Sequence, residues 1–203
     1  RLLRERDILF CLDAIQTLGA FPTTVEHVDF LAADAHKWLL GPCAAGVFYV
    51  RKELQERLSP PAFGWNNVRC PDYIAQEEMT LRTDARRYEA GSFNILGIAG
   101  LNAALGLLLE TGIDAIAADL TAKRAWLVEA LRAKDFEILF PEAKSGITSC
   151  SREGTEMKAL SEKLAAENIV ASVRTDRSGR DYLRFSPHFY NTPAELERAV
   201  ALL

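Results

Sequence analysis

Two short apolar runs, each closed by residues able to do chemistry, constrain this chain more than any other feature. Ile8-Leu9-Phe10-Cys11-Leu12 runs into Asp13, and Val28 to Ala33 runs into Asp34-Ala35-His36-Lys37. Apolarity without alternation is the pattern of strands in a parallel sheet covered by helices, because a strand wetted on one face alternates. Open α/β sheets take their ligands at the C-terminal ends of such strands. Both runs therefore deliver a carboxylate, an imidazole and an amine to the place where this class of fold binds. Taken singly, an Asp after a strand is usually a turn former and a Lys a solvated surface residue. Their joint placement carries the argument.

A third apolar run, Ala45 to Val50, follows the turn Gly41-Pro42, and Arg51 to Leu58 is expected to be a short helix. Residues Ser59 to Tyr88, with Pro60-Pro61, Gly64 and Asn66-Asn67, read as a long irregular segment, a kind that tends to be functional. From Asn94 the texture turns helical. Ile98 to Glu110 is rich in Leu and Ala, and Ile113 to Lys134 carries Ile116, Leu120, Leu127 and Leu131 at helical spacing. Strands are expected at Phe136 to Phe140 and Gly146 to Ser151, then a helix from Glu156 to Glu167. A hairpin follows, Ile169 to Arg174 and Tyr182 to Ser186 around Asp176-Arg177-Ser178-Gly179. Thr192 ahead of Glu195 has capping-box spacing for a last helix, Pro193 to Leu203. The pattern predicts an α/β protein in two parts: residues 1–95, the remnant of a mainly parallel large-domain sheet, and residues 96–203, a small α+β domain.

Composition excludes several function classes. With a net charge of −4 and 49% hydrophobic residues there is no basic excess, so neither nucleic acid nor an anionic membrane is an expected partner. No apolar stretch is long enough to span a bilayer. Cys11, Cys43, Cys70 and Cys150 have no short paired spacing, which argues against a metal site and against a disulfide scaffold. Reduced thiols and a charged start without a signal-peptide core give a cytoplasmic expectation. The chain opens without Met, in what reads as the end of a helix entering a strand, so an upstream part is expected to be missing.

A lysine and a carboxylate at neighbouring strand ends suit pyridoxal phosphate. That cofactor needs an amine for a Schiff base, a carboxylate that keeps its pyridine nitrogen protonated, a donor for its ring hydroxyl and partners for its phosphate. The segments Leu12-Asp13-Ala14-Ile15-Gln16 and Phe30 to Pro42, with its Asp34-Ala35-His36-Lys37-Trp38-Leu39-Leu40-Gly41-Pro42, closely resemble the class V aminotransferase family of fold-type I pyridoxal-phosphate enzymes. Cysteine desulfurases, selenocysteine lyases and isopenicillin-N-epimerase-like proteins belong to that group. Tyr88 to Asn94 and Leu183 to Thr192 extend the resemblance over essentially the whole chain, as the C-terminal portion of such an enzyme. By this resemblance Lys37 is the Schiff-base lysine and catalytic base, Asp13 partners the ring nitrogen, Gln16 bonds the ring hydroxyl, and His36 sits beside the cofactor. Arg184 grips the substrate α-carboxylate, a task suited to a planar bidentate donor. Ser92 reaches the phosphate of the neighbouring subunit of a homodimer.

Three departures qualify what the resemblance implies. Desulfurases often carry Ser three residues before the lysine, where this chain has Asp34; a carboxylate there is expected to turn away from phosphate or bond backbone. Desulfurases also place a nucleophilic Cys shortly before the arginine motif, and Val173 to Arg184 contains none. The segment that binds phosphate and stacks on the ring would precede Arg1. The expected activity is thus amino-acid chemistry of the aminotransferase, lyase or epimerase kind, with desulfurase or selenocysteine lyase chemistry second and a non-catalytic dimerisation module third. The fragment by itself is expected to be inactive and to bind the cofactor weakly.

Overall fold

The computed structural model describes residues 1–70, 74 and 76–203. Packing divides the chain into two compact units, residues 1–19 with 23–110 and residues 20–22 with 111–203. The sequence-based boundary at 95/96 falls at the start of the first long helix, and the units part at that helix's end.

In the first unit, strands β1 (Cys11–Asp13), β2 (Phe30–Asp34) and β3 (Gly46–Val50) form a sheet in that order. β1 and β2 are parallel, with Leu12 opposite Leu31 and Asp13 opposite Ala32. β3 runs antiparallel to β2, so the expected mainly parallel sheet is mixed here. A parallel return needs a crossover of a dozen or more residues, usually a helix, whereas the link at residues 35–45 is spent on turns. β1 is also shorter and wetter than its apolar run suggests. Ile8 and Leu9 are exposed, and β1 has a partner on one side only among the described residues. Ala14, Val28, Leu31 and Ala33 make a small core under this sheet.

Helix α1 (Ile95–Thr111) begins earlier than its apolar pattern suggests because Asn94 caps it: the Gly97 N–H donates to Asn94 Oδ1 at 3.0 Å. The same side chain donates to the carbonyl of Ala44 at 3.1 Å, tying the helix to the β2–β3 link. The expected helix after Arg51 is one 3-10 turn, Lys52–Leu54, followed by further turns. The long irregular segment, part of which lies outside the described residues, is pinned by polar side chains rather than by a core. Asn67 is fully buried; its Oδ1 accepts from Gly64 N, and its Nδ2 donates to the carbonyls of Ala62 and Arg87. The buried Arg87 guanidinium pairs with Glu56.

The second unit is an antiparallel sheet in the order β4 (Glu137–Ile138), β5 (Thr148–Ser151), β7 (Asp181–Phe185), β6 (Ser172–Thr175). Helices α2 (Ile113–Arg132), α3 (Met157–Ala166) and α4 (Pro193–Ala201) supply Leu127, Leu131, Leu160, Leu164, Leu196 and Val200 to one core with Cys150, Leu183 and Phe185. Each fully buried leucine contributes on the order of 1.5–3 kcal/mol. Successive residues of a strand face opposite sides, so Leu183 and Phe185 enter this core while Tyr182 and Arg184 face away and are half-buried. Thr192 caps α4 as expected: its Oγ accepts from Glu195 N at 3.3 Å and the Glu195 carboxylate accepts from Thr192 N at 2.7 Å.

Candidate active site

The loops that follow β1 and β2 bring most of the sequence-predicted residues to one end of the first sheet. Asp13 is the last residue of β1; its Oδ1 accepts from Ile15 N at 3.0 Å. Asp13 Oδ2 makes no hydrogen bond among the described residues. Two residues beyond Ala32, the partner of Asp13, β2 ends at Asp34. Both carboxylates line an open cavity of about 420 Å³ floored by small residues, among them Ala32, Ala45 and Gly46.

The turn after β2 is built from alternating anchors and exposed groups. Ala35, Trp38 and Leu39 are buried, while His36 and Lys37 between them are exposed. Backbone bonds from Gly41 N to the Ala35 carbonyl and from Ala35 N to the Ala45 carbonyl close the turn. Lys37 is exposed, and its Nζ makes no hydrogen bond or ion pair among the described residues. Gly19 is essential to this arrangement. It sits at φ +91°, and a Cβ there would lie 2.5 Å from the Trp38 carbonyl oxygen, so only glycine lets the two loops meet. That approach allows Gln16 Oε1 to accept from the Trp38 indole N–H at 2.9 Å, leaving the Gln16 –NH2 as its donating end.

Asp34, standing where the desulfurase pattern has Ser, bonds locally. Its Oδ1 accepts from His36 N at 3.0 Å and lies 2.7 Å from His36 Nδ1. The contact with His36 holds the Asp34 carboxyl below its ordinary value. A carboxylate acceptor places a proton on Nδ1 and leaves Nε2 as the outward nitrogen of His36. Ser92 is exposed, two residues before the Asn94 cap of α1.

Arg184 lies in the second unit, on the polar face of its sheet. Nε is enclosed without a partner, and the Arg184 side chain makes no hydrogen bond or ion pair among the described residues. Burial first, then the charge of Arg174, draws its guanidinium below the ordinary arginine value. An enclosed N–H without a partner is a group that an anion could satisfy. The loop after it is held by a residue that pattern reading passed over: buried Lys123 donates to the carbonyls of His188 and Phe189 and pairs with Asp119. Its place at i+3 from Leu120, within an apolar stripe, was the available signal.

Comparison with known proteins decides the family. The profile described as Aminotransferase class-V matches residues 1–199. The chain belongs to the class V aminotransferase family. An uncharacterized aminotransferase of Bacillus subtilis, YcbU, is 29% identical over 97% of this chain and 51% of its own length. A probable cysteine desulfurase of Xylella fastidiosa is 30% identical over 100% of this chain and 51% of its own length. The chain thus spans about half the length of the curated relatives it matches. Among solved structures, the apo cysteine desulfurase of Thermococcus onnurineus superposes with a TM-score of 0.88 at 23% identity, covering 98% of this chain and 52% of that one. The cysteine desulfurase CsdA of Escherichia coli gives 0.87 at 24% identity, covering 99% and 52%. These likenesses carry the fold, and the expected α/β fold of the fold-type I enzymes is the fold this family member has. A further neighbour, the lyase C-DES (TM-score 0.80, 21% identity, 92% and 49% covered), was solved with glycine covalently linked to its pyridoxal-phosphate cofactor.

Proposed function

We propose that this chain carries the lysine-bearing half of a pyridoxal-phosphate enzyme that acts on an amino acid by transamination, lyase or epimerase chemistry. One observation supports it above the others: Asp13 and the Asp34-Ala35-His36-Lys37 turn stand side by side at the C-terminal ends of adjacent parallel strands. The residues suit the cofactor. Asp13 keeps an unengaged carboxylate oxygen for a pyridinium N–H, Gln16 offers an amide donor for a ring hydroxyl, and Lys37 has an unpaired amine. When bound, pyridoxal phosphate supplies an electron sink for the charge left by a bond breaking at the substrate Cα. With it bound, Lys37 would hold the cofactor and serve as the base that moves the Cα proton, His36 would sit beside it, and Arg184 would bind the α-carboxylate. The reading includes a cytoplasmic homodimer in which Ser92 serves the neighbouring subunit.

Sulfur chemistry is the second reading, favoured by relatives named as probable cysteine desulfurases. Against it, no Cys lies between Val173 and Arg184, and Cys150 is fully buried with its thiol pushed up to about 12 by burial. A thiol of that kind is a core residue rather than a nucleophile.

Borohydride reduction of the full-length polypeptide bearing this sequence, followed by peptide mapping, tests the main reading. The pyridoxyl group is expected on Lys37, and a label on Lys52 or elsewhere sinks the assignment. Asp13→Asn is expected to spare folding and cripple turnover.

A further inference from the structure

Arg184 has a cationic neighbour on the adjacent strand. In the antiparallel pairing of β6 and β7, Arg184 stands opposite Ser172 and Arg174 opposite Tyr182. The two arginines are therefore diagonal neighbours on one face, at a separation of roughly 7–8 Å between backbone positions. Arg174 is exposed, and its one side-chain hydrogen bond among the described residues runs to the carbonyl of Val173. Neither arginine meets a carboxylate among the described residues.

The acids at this end of the sheet are committed elsewhere. Glu137 pairs with Arg180. Asp176 accepts from the Ser178 backbone and hydroxyl, from Arg180 N and from the Tyr182 hydroxyl. Asp181 takes Thr175 Oγ1 and Lys158. Hydroxyls complete the face. Ser149 stands opposite Arg184 on β5, and Ser151, one step along the same side, is buried with its Oγ unpartnered. Two adjacent guanidinium groups, one partly desolvated and neither neutralised, repel each other; a ligand bearing two negative charges removes that repulsion and satisfies the enclosed Nε.

We propose that Arg174 and Arg184 together form a site for a dianion, so that the substrate is an amino acid whose side chain carries a second anionic group. The substrate clause rests on the amino-acid reading above; the dianion site does not. The half-buried Arg184 takes the α-carboxylate, where enclosure makes a bidentate pair strongest, and exposed Arg174 takes the side-chain anion and sets specificity. Charge matching also disfavours apolar amino acids, which would leave Arg174 uncompensated beside Arg184.

The test is a binding measurement on the 203-residue chain without cofactor, at fixed ionic strength, comparing succinate with acetate by calorimetry. Succinate is expected to bind on the order of tenfold tighter, the worth of one further charge-assisted bond. Arg174→Gln should reduce succinate to the acetate level, Arg174→Lys should keep most of the preference, and Arg184→Gln should abolish binding of both. Equal affinities for the two anions, or an undiminished preference in Arg174→Gln, overturn the proposal. If Arg174→Gln fails to fold, the Arg184 Nε–H resonance of the parent chain decides: it must shift at lower succinate than acetate concentration. A dicarboxylate preference with no pyridoxyl label on Lys37 would sink the cofactor reading alone, and the reverse result would sink only this one.

Discussion

The two units hold their functional residues by different physical means. In the first, a core of four buried residues, Ala14, Val28, Leu31 and Ala33, underlies a three-stranded sheet, and the reactive groups sit on turns beyond its strand ends. Order there comes from local devices: buried Ala35 before and Trp38 and Leu39 after the exposed His36-Lys37 pair, the Gly19 contact, and the polar pins of Asn67. In the second unit twelve buried residues from three helices and the sheet form one cluster, and Arg184 rides on a central strand of it. A residue fixed by a strand inside a large core is held as rigidly as the fold itself, whereas one on a pinned turn can adjust. On the proposed reading, a lysine that attaches a cofactor and moves a proton would suit the second condition, and a carboxylate clamp the first.

The sharpest way to break this contrast is chemical. Burial that raises Cys150 to about 12 leaves roughly one thiolate in ten thousand at pH 8. Because the shift is upward, the group stays protonated across the physiological range. Exposed Cys11 and Cys43 should be alkylated by iodoacetamide while Cys150 is untouched in the native chain. Mass spectrometry showing Cys150 labelled alongside them would mean that the second core opens readily.

Next in size is Leu183→Ala, which removes a fully buried side chain from the larger core and should cost about 2–5 kcal/mol. Urea unfolding measures it, and a loss under about 1 kcal/mol would show that this core does not hold Arg184 as described.

The smallest effect is expected at Asn67→Ala in the first unit, roughly 1–3 kcal/mol for the buried groups left without partners. Its signature is locality. Amide exchange should quicken around residues 62–68 and 82–90 and stay unchanged in β5 and β7. Equal acceleration in both units would erase the distinction between a pinned segment and a packed core.

Chemistry-bearing residues were legible in the sequence wherever a short motif fixed them locally. Asp13, His36 and Lys37 each close or follow an apolar run, Arg184 stands in a motif within its strand, and strand pairing does place Asp13 beside the end of β2. The Thr192 capping box and the hairpin around Asp176 to Gly179 are likewise local and came out as read. Less legible were elements whose form depends on neighbours. The antiparallel return of β3, the exposure of Ile8 and Leu9, and the early start of α1 follow from a short link, an edge position and the Asn94 cap.

Sequence by itself determined the family and the α/β order of elements, and it nominated the candidate reactive groups, because these depend on residue type and on spacing along the chain. Tertiary structure alone decided two other things. It sent the Gln16 oxygen to Trp38 so that its amide hydrogens are left to donate, and set Arg174 beside Arg184 with no carboxylate paired to either among the described residues. The reason is range. Spacing fixes what lies one turn or one strand step away, whereas a hydrogen-bond partner or a like charge on the next strand is chosen only when distant segments pack.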